Sequence, residues 1–145
     1  MLRASAYLSA PGGSQFPQKL EREFYRSIKT SNGTKKSTAL RGHERIRLFD
    51  DDILLPNPPQ FAGCADVVRV ANLIQPIYFT ENQIQRAVEN VRERCRGEGS
   101  IVVVCRNTAG SLDGSILRMT GARQFSVEAR LGRGSEVEGY FTRVA

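Results

Sequence analysis

The chain has 145 residues, 40% hydrophobic and 25% charged, with a net charge of +6. That length is one domain with room for a real core, and no apolar run approaches the roughly 18–20 residues of a membrane-spanning helix, so no membrane partner is expected. Cys64, Cys95 and Cys105 stand far apart and His43 is the single histidine, which excludes the close ligand pairs of a structural zinc site; an odd set of unpaired thiols suits a reducing, cytoplasmic setting.

The charge is uneven. Residues 1–47 hold ten Lys/Arg against three acids, including all four lysines, and the remainder nets −1. A basic front segment attracts phosphates or nucleic acid, or else forms a solvated surface. Aromatic residues interleave poorly with the charges there, Phe24 and Tyr25 being the two between 19 and 47, which makes a weak stacking platform.

In chain order, the loop Pro11-Gly12-Gly13-Ser14 precedes a predicted helix over 16–30. Pro17 suits its first turn, Leu20, Phe24 and Ile28 recur on one face, and Lys19, Arg22 and Arg26 take the wet side. Residues 30–37 are a polar loop. A short strand over 44–49 alternates Ile46 and Leu48 with Arg45 and Arg47 and runs into Asp50, Asp51 and Asp52. Pro56, Pro58 and Pro59 forbid helix in the next segment.

Residues 65–74 are nearly continuously apolar, as in a parallel strand covered on both faces. Thr80 and Gln83 form a capping box at the start of a helix, whose stripe is Ile84, Ala87, Val88, Val91 and Cys95; Gly97 supplies the stop. Residues 100–106 are a second buried strand. A short strand over 115–119 follows, then a half-buried strand over 125–131 with period two. Gly132 to Ser135 turn the chain, and 136–144 is expected to return antiparallel. Strand, helix and strand with a parallel crossover demand an α/β sheet.

The stretch Ala65-Asp-Val-Val-Arg-Val-Ala-Asn-Leu-Ile74, then Ile77-Tyr-Phe-Thr-Glu81, then Cys95-Arg-Gly-Glu-Gly99 and its following strand resembles the class I S-adenosylmethionine-dependent methyltransferases, with wording similar to the subgroup near the chemotaxis-receptor methyltransferases. The closing hairpin over 125–131 and 136–144 is similar to the antiparallel finish that separates these enzymes from dehydrogenases. The resemblance runs from about Ile46 to Ala145. It implies a Rossmann-like methyltransferase sheet that ends in an antiparallel β-hairpin, with S-adenosylmethionine as cofactor. Residues 1–43 then form a basic helix and loop, and 44–145 the C-terminal part of the domain.

The resemblance places cofactor contacts at Asp51, Asp52, Ile53, Ala71 and Asn72. In the family an acid at the position of Asp51 or Asp52 accepts a hydrogen bond from the adenine amino group; the alternative is acids solvating a strand end. Asn72, at the end of the next strand, faces the cofactor or forms a turn. The family's Asp-x-Gly-x-Gly-x-Gly loop is not evident, and Pro11-Gly12-Gly13-Ser14 lacks the spacing, so the sheet reads as incomplete at its N-terminal side. Asn57-Pro58-Pro59-Gln60 imitates the Asn-Pro-Pro-aromatic motif of adenine amino methyltransferases but has Gln60 in the aromatic position; a proline-rich loop is the alternative. No nucleophile–base pair stands out, so no catalytic residue is assigned. Three functions remain: a methyltransferase or its degenerate relative with unknown acceptor, a non-catalytic remnant completed by a second copy or another chain, and a basic nucleic-acid-binding module.

Overall fold

The structure, a computed structural model, describes Phe49 and residues 51–108, 111–121 and 123–143. The basic helix over 16–30, His43, Asp50, the segment 19–47 on which nucleic-acid binding rests, and the strand over 44–49 apart from Phe49 lie outside the described residues.

The described residues form an open four-stranded mixed sheet with two α-helices. Val67–Ala71 is β1, Glu81–Arg94 is α1, and Ile101–Thr108 is β2. Ser111–Met119 is β3, Phe125–Leu131 is β4, and Glu138–Thr142 is α2. The spatial order is β1-β2-β3-β4. β1 pairs parallel with β2, from Val67 opposite Ile101 to Ala71 opposite Cys105. β3 pairs antiparallel with both β2 and β4. Thus β1, β2 and β4 run one way and β3 is reversed, one position in from the edge.

α1 forms for the reasons its sequence gives. The Thr80 hydroxyl accepts from the Gln83 amide and the Gln83 side chain accepts from the Thr80 N–H, a reciprocal cap of about 1 kcal/mol. Ile84, Ala87, Val88 and Val91 are buried on one stripe. They pack on the sheet face made by Val68, Val70, Val102, Val104, Leu117, Met119 and Phe125. The helix ends at Arg94, ahead of Gly97, because Cys95 bridges in parallel to Ala65 and the Arg96 N–H donates to the Ala65 carbonyl.

Over its described part, 136–143, the strand expected at 136–144 is not formed, and this corrects the closing hairpin. Glu138–Thr142 is helical, with Val137 1% and Phe141 0% exposed and Tyr140 partly buried beside them. Apolar residues at i, i+3 and i+4 share a helix face, whereas a strand would send neighbours to opposite sides. Five residues cannot hold a helix alone; burying Val137 and Phe141 contributes roughly 1.5–3 kcal/mol each. The Phe141 ring meets Phe125 edge-on at 5.8 Å. Arg92, from α1, donates to the carbonyls of Tyr140 and Phe141 at 3.1 and 2.7 Å, satisfying acceptors that a helix end leaves open. Its buried Nε has no partner in the structure, and burial lowers its pKa. The antiparallel hairpin therefore sits one element earlier, between β3 and β4, closed by the Thr120 N–H donating to the Gln124 carbonyl at 3.0 Å.

Both α-helices lie on the same sheet face. The opposite face carries Val67, Ala71, Ile101, Val103, Cys105, Ile116, Ala129 and Leu131 in cross-strand rows, and no described helix covers it.

Candidate functional site

A cavity of about 280 Å³ opens at the carboxyl ends of β1 and β2, with Val70, Ile74 and Val104 on its apolar side and Arg106, Asp113 and Glu136 among its polar lining. Ligands of open α/β sheets sit outside the carboxyl ends of strands, where the crossover loops diverge. A second hollow, of about 400 Å³, lies at the opposite end between Asp66 and the 96–100 turn. It is the larger, yet it is a surface depression walled by one tight turn and the exposed Arg96–Asp66 pair. The carboxyl-end cleft is the candidate site.

Asn72 follows Ala71 at the carboxyl end of β1. It has φ +54°, the left-handed region that Asn tolerates better than most residues. Its N–H donates to the Cys105 carbonyl at 2.9 Å, and its Oδ1 accepts from the Asn107 N–H at 2.7 Å. These bonds extend the β1–β2 pairing past Ala71 as the chain leaves the strand. Asn72 is thus a turn-forming residue at the end of β1.

One wall of the cleft is the turn from β4 to α2. Gly132 has φ +58°, and any Cβ there would collide with Asp113 Oδ1. That carboxylate accepts from the Arg133 N–H at 3.0 Å and pairs with its guanidinium at 3.1 Å. The Arg133 backbone N–H, and then its guanidinium, hold the Asp113 carboxyl below its ordinary range. Arg106 donates from one nitrogen to both oxygens of Glu136 at 2.8 and 2.9 Å, closing the rim. Behind the rim, the fully buried Ser115 donates to Glu138 at 2.6 Å and accepts from the Ser135 N–H at 2.8 Å. The Arg130 guanidinium, bonded to Glu138 at 2.9 and 2.7 Å, holds that carboxyl below its ordinary range, with a smaller contribution from Ser115. The result is a preorganised cleft with an apolar floor and a rim of paired charges.

The five expected cofactor residues do not gather here. Ala71 and Asn72 stand at the carboxyl end. Asp51 instead pairs with Arg94 at 2.5 Å, both side chains buried, beside the last turn of α1; α1 runs about 20 Å back along the sheet. Asp52 Oδ1 accepts from the Leu54 N–H at 3.0 Å, and Ile53 is in the core. Asn57 is consumed by the same helix: its amide donates to the Asn90 carbonyl and Glu93, and its Oδ1 accepts from Arg94 Nε at 2.6 Å. The Asn-Pro-Pro motif is therefore a loop stitched to α1, with Asn90 donating to the carbonyls of Ile53 and Leu55 at 2.6 and 2.8 Å. Asn90 and Arg94 stand three and seven residues after Ala87, on a second helix ridge, a spacing that marks them as inward-facing. Arg106, Asp113, Ser115 and Glu136 carried no such signal, because their meeting depends on strand register. The described residues contain no metal-binding cluster of His, Cys, Asp or Glu, and none of their helices is long and apolar enough to cross a membrane.

Comparison of the chain with family models, with curated proteins and with solved structures finds no match.

Proposed function

We propose that the chain is a relative of the class I S-adenosylmethionine-dependent methyltransferases, and that the carboxyl-end cleft is its cofactor side. One observation carries the reading: a parallel β1–α1–β2 crossover opens a cleft at its carboxyl ends, in a sheet whose reversed strand is β3. The reversed strand is 111–119, and the closing hairpin that the resemblance implies over 125–131 and 136–144 is not reproduced. The fit is partial. At about 280 Å³ the cleft is just under the ~300 Å³ at which ligand pockets begin, room for one end of a nucleoside-sized cofactor. The Val70–Ile74–Val104 floor suits a flat ring, and the Arg106, Asp113 and Glu136 rim offers polar contacts.

S-adenosylmethionine supplies an electrophilic methyl group when bound. What the protein contributes to such a transfer is alignment of nucleophile, methyl and sulfur rather than acid–base groups, and the paired rim charges suit a positioning role. Calorimetric titration with S-adenosylhomocysteine tests the reading; no detectable heat at high micromolar protein would sink it. A cytoplasmic location belongs to the same proposal.

The uncovered apolar sheet face favours a second reading, a non-catalytic module completed by another copy or chain. A stable monomer by size-exclusion chromatography with light scattering would dispose of it.

A further inference from the structure

We propose that Cys64 and Cys95 close into a reversible disulfide, a modification site that pins the 51–64 loop to the end of α1. The backbone brings the two residues together. The chain wraps the last turn of α1, with the Gly63 N–H donating to the Glu93 carbonyl at 2.8 Å and the N–H groups of Cys64 and Ala65 both donating to the Arg94 carbonyl at 3.1 and 2.9 Å. These bonds satisfy carbonyls that a helix end leaves open. They also set a distance. Arg94 is joined directly to Cys95, so a bond from the Cys64 N–H to its carbonyl leaves the two Cα atoms about 5–7 Å apart, and disulfides span about 4.4–6.8 Å between Cα atoms. In a regular strand Cys64 would point away from Cys95, because Ala65 is the bridge partner of Cys95 and side chains alternate. Cys64 is not in a regular strand. Consecutive N–H groups of a strand point in opposite directions, whereas those of Cys64 and Ala65 converge on one carbonyl, and Gly63 ahead of them has φ +59°.

The two thiols divide the chemistry. Cys64 is half-exposed and Cys95 is buried. Each S–H has only a weak bond to give up, Cys64 Sγ to the Phe61 carbonyl at 3.1 Å and Cys95 Sγ to the Val91 carbonyl at 3.4 Å. Burial, and then Cys64, raise the pKa of Cys95. The second cause is what two neighbouring sulfurs produce, since such coupling fades over about 10 Å. A peroxide therefore meets Cys64 first. The Cys64 thiolate attacks one peroxide oxygen, the O–O bond breaks, and the hydroxide that leaves takes up the thiol's proton, giving a sulfenic acid and water. The Cys95 sulfur then attacks the Cys64 sulfur, the S–O bond breaks, and a second water leaves with the Cys95 proton. Two thiols are oxidised to one disulfide while one peroxide is reduced to two waters. Cys105 takes no part: it lies opposite Ala71 at the other end of β1, about 20 Å along the strand from Ala65.

The experiment exposes the reduced full chain to a small excess of hydrogen peroxide, blocks the remaining thiols with an alkylating reagent, and digests with trypsin in the absence of reductant. Trypsin leaves each cysteine on its own peptide, 48–69 for Cys64, 95–96 for Cys95 and 97–106 for Cys105. Mass spectrometry should find 48–69 joined to 95–96 with the loss of two hydrogens, and 97–106 alkylated. Dithiothreitol should undo the link, and the link should form several times faster in the folded chain than in denaturing urea. Cys64→Ser, at a half-exposed position, should leave Cys95 reduced under the same treatment. A link to Cys105, a link between the Cys64 residues of two chains, equal rates with and without urea, or Cys64 carried on to sulfinic acid with Cys95 still free would overturn the proposal. S-adenosylhomocysteine binding has no bearing on any of these outcomes.

Discussion

Asp51 separates two ideas about what its carboxylate does. The resemblance to methyltransferases gives it to the adenine amino group; the geometry gives it to Arg94, with the two side chains 9% and 4% exposed. Arg94 is also held by Asn57 at 2.6 Å and sits over the Phe61 ring at 5.3 Å. Asp51→Ala therefore leaves a buried guanidinium without its counter-charge. Breaking a buried pair by removing one partner costs about 3–5 kcal/mol, and the remaining contacts of Arg94 put the expected loss near the low end, about 3 kcal/mol. For a domain of this length each kcal/mol is worth about 2–4 °C, so the melting temperature should fall by roughly 6–12 °C. Urea unfolding with a common m-value gives the free energy, and calorimetry in parallel gives any S-adenosylhomocysteine affinity, expected to be unchanged where binding is seen. The double variant Asp51→Ala/Arg94→Met should be more stable than Asp51→Ala alone, because the orphaned charge is gone. A loss under about 1 kcal/mol for Asp51→Ala would refute the bracing role, since no exposed surface pair is worth much more than that.

Other expectations follow from the same geometry. Gly114→Ala should destabilise the fold by about 1–3 kcal/mol through overpacking, because its Cβ would lie 2.8 Å from the Val104 carbonyl and 2.9 Å from Cys105 Cβ; unchanged urea midpoints would contradict the β2–β3 register. Glu138 and Asp113 have folded-state pKa values below their ordinary ones, so their stabilisation is present above the ordinary carboxylate range and is lost as pH falls through the depressed values. Urea midpoints measured between about pH 6 and about pH 3 should therefore fall less steeply for Glu138→Gln than for the parent chain. Burial, and then Cys64, push the Cys95 thiol up to about 11, and Cys95 and Cys105 are buried where Cys64 is half-exposed. A thiol reagent at about pH 8 should therefore modify the more accessible Cys64 first and reach the two buried thiols on the timescale of unfolding.

Much of the fold was legible because it is written in local periodicities. Thr80 and Gln83 announced the start of α1, Ile84 to Val91 its inward stripe, and the nearly continuous apolar runs of β1 and β2 a parallel pair. The error over 136–144 arose because Val137, Tyr140 and Phe141 are too few to distinguish period two from period 3.6, and the preceding β4 made a hairpin the natural continuation. The candidate site was less legible. Ala71 and Asn72 could be placed because a strand's carboxyl end follows from its direction, but Asp51, Asp52 and Ile53 could not, because where a proline-rich loop runs is decided by what it docks on.

By itself, then, the sequence determined an α/β domain with a parallel crossover, since side-chain spacing along a strand or helix is a property of the chain alone. Tertiary structure decided what spacing cannot encode. Register brought Asp113 of β3 against Arg133, and Ser115 against Glu138, although about twenty residues separate each pair. Packing against α1 drew Asp51 and Asn57 onto Arg94, because a buried guanidinium must find acceptors wherever the fold provides them.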